Sequence, residues 1–478
     1  MMKRFTAVIV SAFLIFSFCV SSQAAAPDAT GNKYESAIDF VTAFGFMSNN
    51  DDGSFGIDET VSRASFASVI FNMMGLDFFD SEDGGFGAGD YTGFGKDDWK
   101  NMGYEEQEEI PQNAYSDIPL NFWAEDAVKF CVQFDFMSLF SDGTFRPNES
   151  ITNIQAFKAL VKILGYEPRV NALGTDIINY VTVANSIGIL NGVSVSYNDP
   201  LKKDVFARLV YNSLGTDLFE MTAVGAEVSY QKTTGKNLLT QRHKIYKLNG
   251  RVNANEITSI DGRTVPNKKH VIIDNERYQT GRTDASDMLG YYVTFYYRQL
   301  DNDNIKTIVY ITKRDFNETL TIDANDIIDF QNKTLTYYKG DKVRSVTVSG
   351  SVSVIYNGKL SSNVTADKFK PLNGNITFIG DGSNYDLVII NSYKTMIAGY
   401  VDKDKKIIYD KLVAGNKIEL DDDSLIYKNG MAASISDINE FCVISYTDAD
   451  PINHFYTLYL STRTARGTVS SKIGRAHV

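Results

Sequence analysis

The sequence predicts a multidomain protein with an all-α N-terminal half and an all-β C-terminal half. Three observations lead there. From Lys33 to Gly215, apolar residues recur at helical spacing in paired segments that end at glycine. Beyond residue 240 the chain changes to short runs of Val, Ile, Tyr, Phe and Thr separated by Asn, Asp and Gly, which is the pattern of strands and turns. The chain of 478 residues is 43% hydrophobic with nine prolines, enough for several packed cores and unlike a collagen-like or wholly disordered polypeptide.

The first segment concerns address rather than fold. Met1–Arg4 carries two cations, Phe5–Val20 is apolar and Ser21–Ala26 is rich in small residues, so 1–24 reads as a secretory signal peptide cut near Ala24 or Ala25. No later run is long and apolar enough to predict a transmembrane span after cleavage. Cys131 and Cys442 then remain, each inside an apolar segment, and read as buried thiols rather than a disulfide framework. The formal net charge of −12 argues against a general nucleic-acid binder, which must neutralise phosphates.

The helical half is expected to contain three copies of one helix, loop, helix plan, at 33–76, 115–168 and 172–216. In the middle copy Ala124, Ala127, Val128, Cys131 and Phe134 form one apolar face, and Ala156, Ala159, Leu160 and Ile163 form the second. Thr152 and Gln155 make a capping box, and Gly165 supplies a left-handed stop. The first copy has the loop Asn49–Phe55 before a helix opening at Val61–Ala67, and the third has Asn198–Pro200 before Leu201–Ala207. Between the first two copies, 77–114 is a Gly-rich and acid-rich insertion whose glycines lack the strand and helix context of a phosphate loop. Ser48–Glu59 imitates a calcium loop but starts on Ser instead of Asp, so no metal is assigned to it.

Trp123–Ala124, Asp142–Asn148 and Ile151–Thr152 resemble the signature of the S-layer homology family, with more divergent copies on either side. That resemblance implies a three-repeat, pseudo-threefold helical assembly. It also implies non-covalent binding of an anionic, often pyruvylated, cell-wall polysaccharide in the grooves between repeats. The family's Thr-Arg-Ala-Glu motif is a capping box that seats an Arg in the first helical turn, where a guanidinium can clamp a carboxylate. The Arg position is Arg63 in the first copy, Asn153 in the second and Lys203 in the third. Arg63 and Lys203 are therefore the leading polysaccharide-binding candidates. Arg146 is a further candidate that can equally pin its own loop. Trp123 opens an apolar helical face and reads as core, with a sugar-stacking platform as the alternative.

A polar linker is expected at 217–240, followed by three related β units at 241–314, 315–391 and 392–462, as tandem small barrels or sandwiches. The hairpins proposed for them are Tyr291–Arg298 with Lys306–Ile311, Asn375–Gly380 with Tyr385–Ile390, and Phe441–Tyr446 with Phe455–Leu460. Each is preceded by a marker tyrosine, Tyr278, Tyr356 or Tyr427, and by a small acidic segment. Lys472–Val478 has the look of a translated library adapter, so 463–478 is expected to be a non-native tail.

Catalytic motifs such as G-x-S-x-G, H-E-x-x-H and the phosphate-binding loop do not occur, and His243, His270, His454 and His477 lack metal-ligand spacing. No cofactor is implied. The expected function is that of a secreted, non-enzymatic S-layer-type protein on the cell wall, with β modules as spacers or surfaces for self-association or other surface proteins. Two alternatives stay open: a wall-anchored glycan hydrolase, and a degenerate repeat protein acting only in protein contacts.

Overall fold

The computed structural model describes residues 26–75, 115–119, 121–223, 229–300, 304–350, 352–361, 365–381, 384–422, 424–428, 431–450 and 455–461. The signal peptide, the 77–114 insertion, the 463–478 tail, His454 and His477 lie outside the described residues. The chain divides into two compact units, one of Met1–Leu248, Gln279–Asp284 and Phe295–Ile311, the other of Asn249–Tyr278, Ala285–Thr294 and Thr312–Val478.

In the first unit, three helix pairs supply the lobes: α1 (Glu35–Ala43) with α2 (Arg63–Met73), α3 (Glu125–Gln133) with α4 (Asn153–Ile163), and α6 (Ile178–Ser186) with α7 (Lys203–Leu214). A short extra helix, α5 (Glu167–Leu173), precedes the third pair. The pairs exchange partners. Helix α2 packs on α3, α4 on α6, and α7 returns to α1. A ring of backbone hydrogen bonds closes this cycle: Val61 N–H donates to the Leu201 carbonyl at 2.9 Å, Leu201 to Ile151 at 2.8 Å, and Ile151 to Val61 at 3.0 Å. The three lobes thus share one pseudo-threefold axis, and one apolar core runs through them. At the position three residues into each second helix sit Phe66, Ala156 and Phe206, all fully buried. Two rings stack there at 4.9 Å where a third would overfill the space.

The capping box at Thr152 and Gln155 is present, with the Thr152 N–H donating to the Gln155 side chain at 3.0 Å. Gly165 does more than stop a helix. Its φ is +82°, and an added Cβ would stand 2.2 Å from the Phe219 carbonyl, so glycine alone lets the following segment approach. That segment was expected to be a polar linker. It is an antiparallel hairpin, β1 (Asp217–Ala223) with β2 (Ser229–Asn237), followed by a one-turn helix α8 (Leu238–Arg242). Its anchor is local: Phe219 stacks on Tyr166 at 5.0 Å, the Tyr166 hydroxyl donates to the Asp217 carbonyl, and Phe219 N–H donates to Leu164. Two aromatic side chains therefore override a polar local sequence. After α8, His243 is buried edge-on to Phe46 and bonded to the Met73 carbonyl at 3.0 Å. Burial pushes its pKa down to about 4.

The C-terminal half repeats a β motif. Strands β3 (Ile245–Ala254), β4 (His270–Ile273), β5 (Glu276–Gln279), β6 (Tyr292–Arg298) and β7 (Thr307–Lys313) close a five-stranded barrel. A five-stranded sheet follows in the order β13 (Lys359–Leu360), β12 (Ser353–Tyr356), β15 (Tyr385–Ser392), β14 (Gly374–Gly380), β8 (Glu318–Asp323). The meander β9 (Ile327–Gln331), β10 (Thr334–Lys339), β11 (Lys342–Thr347) packs against it through Leu335 and Tyr337. The last module is a seven-stranded sheet, β18 (Lys417–Glu419), β17 (Ile407–Asp410), β16 (Lys394–Asp402), β21 (Val443–Asp450), β22 (Phe455–Ser461), β19 (Leu425–Lys428), β20 (Met431–Ala432).

All three marker tyrosines lie on equivalent strands. β5, β12 and β19 each lead through a 3₁₀ turn carrying Asp287, Asp367 or Asp437 into a hairpin. In each case the first strand pairs in parallel with the second strand of that hairpin, at Gln279 with Thr307, Tyr356 with Ile390, and Tyr427 with Tyr459. The acidic segments seen in the sequence are these crossover turns. A parallel neighbour cannot be reached by a tight turn, which explains why a connector intervenes each time.

Candidate functional site

Each second helix opens at a junction where it meets the loop of another lobe. The N-cap is in extended conformation at Ser62, Thr152 and Lys202, and the residue after it enters the helix. The first helical N–H groups of α2, on Arg63 and Ala64, donate to the carbonyls of Glu149 and Pro147. Those of α4, on Asn153 and Ile154, donate to Asp199 and Tyr197, and those of α7, on Lys203 and Asp204, donate to Glu59 and Ile57. These helix starts therefore do not offer those N–H groups to an anion. Main-chain carbonyls of a neighbouring lobe already occupy them, satisfying donors that a helix end otherwise leaves unpaired.

Arg63, Asn153 and Lys203 are equivalent by position and by task. Arg63 is only 4% exposed, its Nε donates to the Phe145 carbonyl and its Nη2 to the Ser138 carbonyl, both at 2.7 Å. Its guanidinium also lies over the rings of Phe140 and Phe145, at 5.0 and 4.6 Å. Burial lowers its pKa, against the opposing pull of Glu149 and Asp117. An arginine keeps its charge under such a shift. The exposed carboxylate fork expected at Arg63 is thus not what the structure places there: the side chain holds the 138–145 loop of the next lobe. Lys203, half-buried, does the same with fewer bonds, donating to Asn50 Oδ1 at 2.9 Å and lying 4.9 Å over Phe55. Asn153 is 2% exposed and donates from Nδ2 to the Ser196 and Asp199 carbonyls, while its Oδ1 is buried without a hydrogen-bond partner.

Arg146 lies on the surface beside that loop at φ +57°, its guanidinium 3.8 Å over the Phe140 ring, ion-paired to Asp142 at 3.0 Å and to Glu149 at 3.6 Å. The Asp142 carboxyl is held well below its usual range by the hydroxyl and N–H of Thr144 and then by Arg146. Trp123 is 65% exposed, so the reading of this ring as core is corrected. Half-buried Phe122 and buried Ala124 on either side take the packing, and the indole is left in solvent against Phe122. Among the four candidates Arg146 and Trp123 are the groups presented to solvent, whereas Arg63 and Lys203 act on loops.

Sequence reasoning passed over three residues. Asp117 accepts from the Phe145 and Arg146 N–H groups at 2.9 and 2.6 Å, and Asp28 from those of Phe55, Gly56 and Ile57 at 2.7, 2.7 and 3.2 Å. Burial pulls the Asp28 pKa up, but these three N–H donors outweigh it and hold the carboxyl below its usual range. Phe140 is the third, since both Arg63 and Arg146 use its ring. The signal was available as an Asp placed ahead of the first helix in both lobes. In the calcium-like segment, Asp52 accepts from Ser54 and Glu59 from Asn50, so those carboxylates serve the turn.

The comparison with known families falls on this assembly. The S-layer homology domain model matches residues 27–67 and 114–157, which build the first two lobes. The chain is similar to a cell surface protein of Thermoanaerobacter kivui, 22% identical over 98% of this chain and 56% of that protein. It is similar to a middle cell wall protein of Brevibacillus brevis, 21% identical over 92% of this chain and 44% of that protein. A surface layer protein of Brevibacillus choshinensis is 22% identical over 51% of this chain and 20% of its own length. The chain thus spans about half the length of the first two relatives.

Proposed function

We propose that this chain, a secreted cell-surface protein carrying S-layer homology repeats at the cell wall, is held there by its three-lobed helical region, which binds an anionic wall polysaccharide. The observation that carries the reading is that the family match falls on the residues that build the ring of lobes, 27–67 and 114–157. The chemistry of the junctions refines it. Arg63 and Lys203 set the loops, and the exposed groups beside them are the indole of Trp123, which can stack on a sugar face, and the guanidinium of Arg146, which would exchange its surface pairing with Asp142 or Glu149 for an acidic substituent. A pyruvate ketal would supply such a carboxylate. The β modules act as spacer or contact surface, and the protein performs no catalysis.

The full chain should sediment with purified cell walls and lose that behaviour once the wall polymer's acidic groups are removed. Equal sedimentation with stripped walls overturns the reading. One rival has an observation behind it: Arg63, Asn153 and Lys203 are all spent on contacts between lobes, as a repeat kept only for protein contacts would show. Under that rival, the chain stays in the supernatant with either wall preparation.

A further inference from the structure

The first compact unit contains a cleft of about 550 Å³ that lies apart from the lobe junctions. Its floor is aromatic: Phe40, Tyr166 and Tyr296 are buried and Tyr211 is half-buried. The Tyr211 and Tyr296 hydroxyls share a hydrogen bond. The walls are the C-terminal ends of α6 and α7, from Ser186 to Asn191 and from Asn212 to Thr216, together with Asn237 and Thr240 beyond the β1–β2 hairpin. The rim carries Arg169, Lys232 and Lys247, all exposed.

The charges at this rim do not cancel. Asp217 is the acidic residue lining the cleft, and Lys232 pairs with it at 3.2 Å. Lys247 lies 5.5 Å over the Tyr296 ring. The Arg169 guanidinium makes no hydrogen bond or ion pair among the described residues. Two uncompensated cations therefore overlook this cleft in a chain whose formal net charge is −12. The walls pull the other way, because the negative ends of the helix dipoles face the cleft. The Asn191 carbonyl there accepts from both Arg208 and Asn212, whereas the Ile189 and Asn212 carbonyls accept from Asn212 and Thr216 respectively and keep a second lone pair for a hydroxyl donor. Such walls reject a bare anion and accept hydroxyl donors. An occupant that satisfies both needs many hydroxyls and one acidic group, and it needs an apolar face for the aromatic floor.

We propose that this cleft is a separate ligand site for a single acidic sugar residue, whose hydroxyls donate to the α6 and α7 ends and whose carboxylate is drawn by Arg169 and Lys247. The site uses none of the junction residues, so it stands or falls independently of wall binding there. The test is ligand-observed NMR on the full chain with glucuronate and, separately, glucose. Glucuronate should bind, and glucose should bind roughly tenfold more weakly, since it lacks the carboxylate. Arg169→Gln with Lys247→Gln should weaken glucuronate by a similar factor and leave glucose unchanged. Both side chains are exposed, so the fold should survive, and Asn191→Asp, which adds a negative charge at the rim, provides a second check by weakening glucuronate alone. Absence of glucuronate binding, equal binding of the two sugars, or indifference of glucuronate to both variants overturns the proposal.

Discussion

Each helical lobe borrows its packing partner from another lobe, with α2 on α3, α4 on α6 and α7 on α1, so one continuous core serves all three. The second and third β modules are built the other way. Ile322, Phe369 and Phe378 belong to one core, and Met396, Ile408 and Leu458 to another. Repetition in the helical region therefore produces a single cooperative body, whereas the second and third β modules have cores of their own. Damage should spread through the first and stay local in the second.

The strongest way to break this comparison is to remove one ring from the shared axis. Phe66→Ala takes away a fully buried side chain stacked on Phe206 and should cost about 3–5 kcal/mol. Hydrogen exchange should rise together in α2, α4 and α7. Phe378→Ala, at similar cost, should raise exchange in the second β module and leave the third unchanged. Exchange confined to α2 in the first variant would mean that the lobes are independent.

Acid provides the next largest perturbation, again specific to the helical side. His243 is neutral in the folded chain because burial depresses its pKa to about 4, from 6.5 in the unfolded chain. Between those values the unfolded state binds the extra proton, so stability is full above about pH 6.5 and falls as pH drops towards 4, by about 3 kcal/mol at most. Thermal melts across this window should show the first unit weakening, and His243→Gln should flatten that slope. An unchanged slope would place the acid sensitivity in the carboxylates.

Arg63→Ala ranks below these. It leaves the Phe145 and Ser138 carbonyls without their charged donor and should cost about 2 kcal/mol. Arg63→Lys should recover part of that, since an ammonium can reach a carbonyl but not fork between two. Wall sedimentation should follow loop order, falling in the alanine variant and less in the lysine one.

How much of this was legible beforehand depends on the range of the causes. The capping box at Thr152 and the marker tyrosines were readable, because they express contacts within a few residues or a period in the chain. The third lobe was readable too, although the family match covers only the first two, since its helical period and Gly188 persist where the signature has eroded. What could not be read was set by distant partners. Nothing near Arg63 in sequence says that carbonyls 75 and 82 residues away will consume its donors. The 217–240 segment likewise looked like a linker because its anchor, Tyr166, lies 51 residues upstream of Asp217. Trp123 failed for a subtler reason: helical period marks a face, but a residue two positions before the helix starts at Glu125 need not lie on it.

Trp123 also supplies the smallest perturbation of stability and the sharpest separation of fold from binding. With 65% of its surface in solvent and Phe122 as its ring neighbour, Trp123→Ala should change the melting free energy by no more than about 0.5 kcal/mol. A singly exposed apolar ring is ordinary on a protein surface, so the binding measurement, not the exposure, assigns the indole its role. If the ring is a sugar platform, the same substitution should reduce wall sedimentation clearly at unchanged stability, and Trp123→Tyr should restore most of it by keeping a stacking face. That pattern differs from Arg63→Ala, where stability and binding fall together, so measuring both properties on both variants distinguishes a group that touches polymer from one that only shapes the loop. Undiminished sedimentation of Trp123→Ala would remove the indole from the binding surface and leave Arg146 as the exposed candidate.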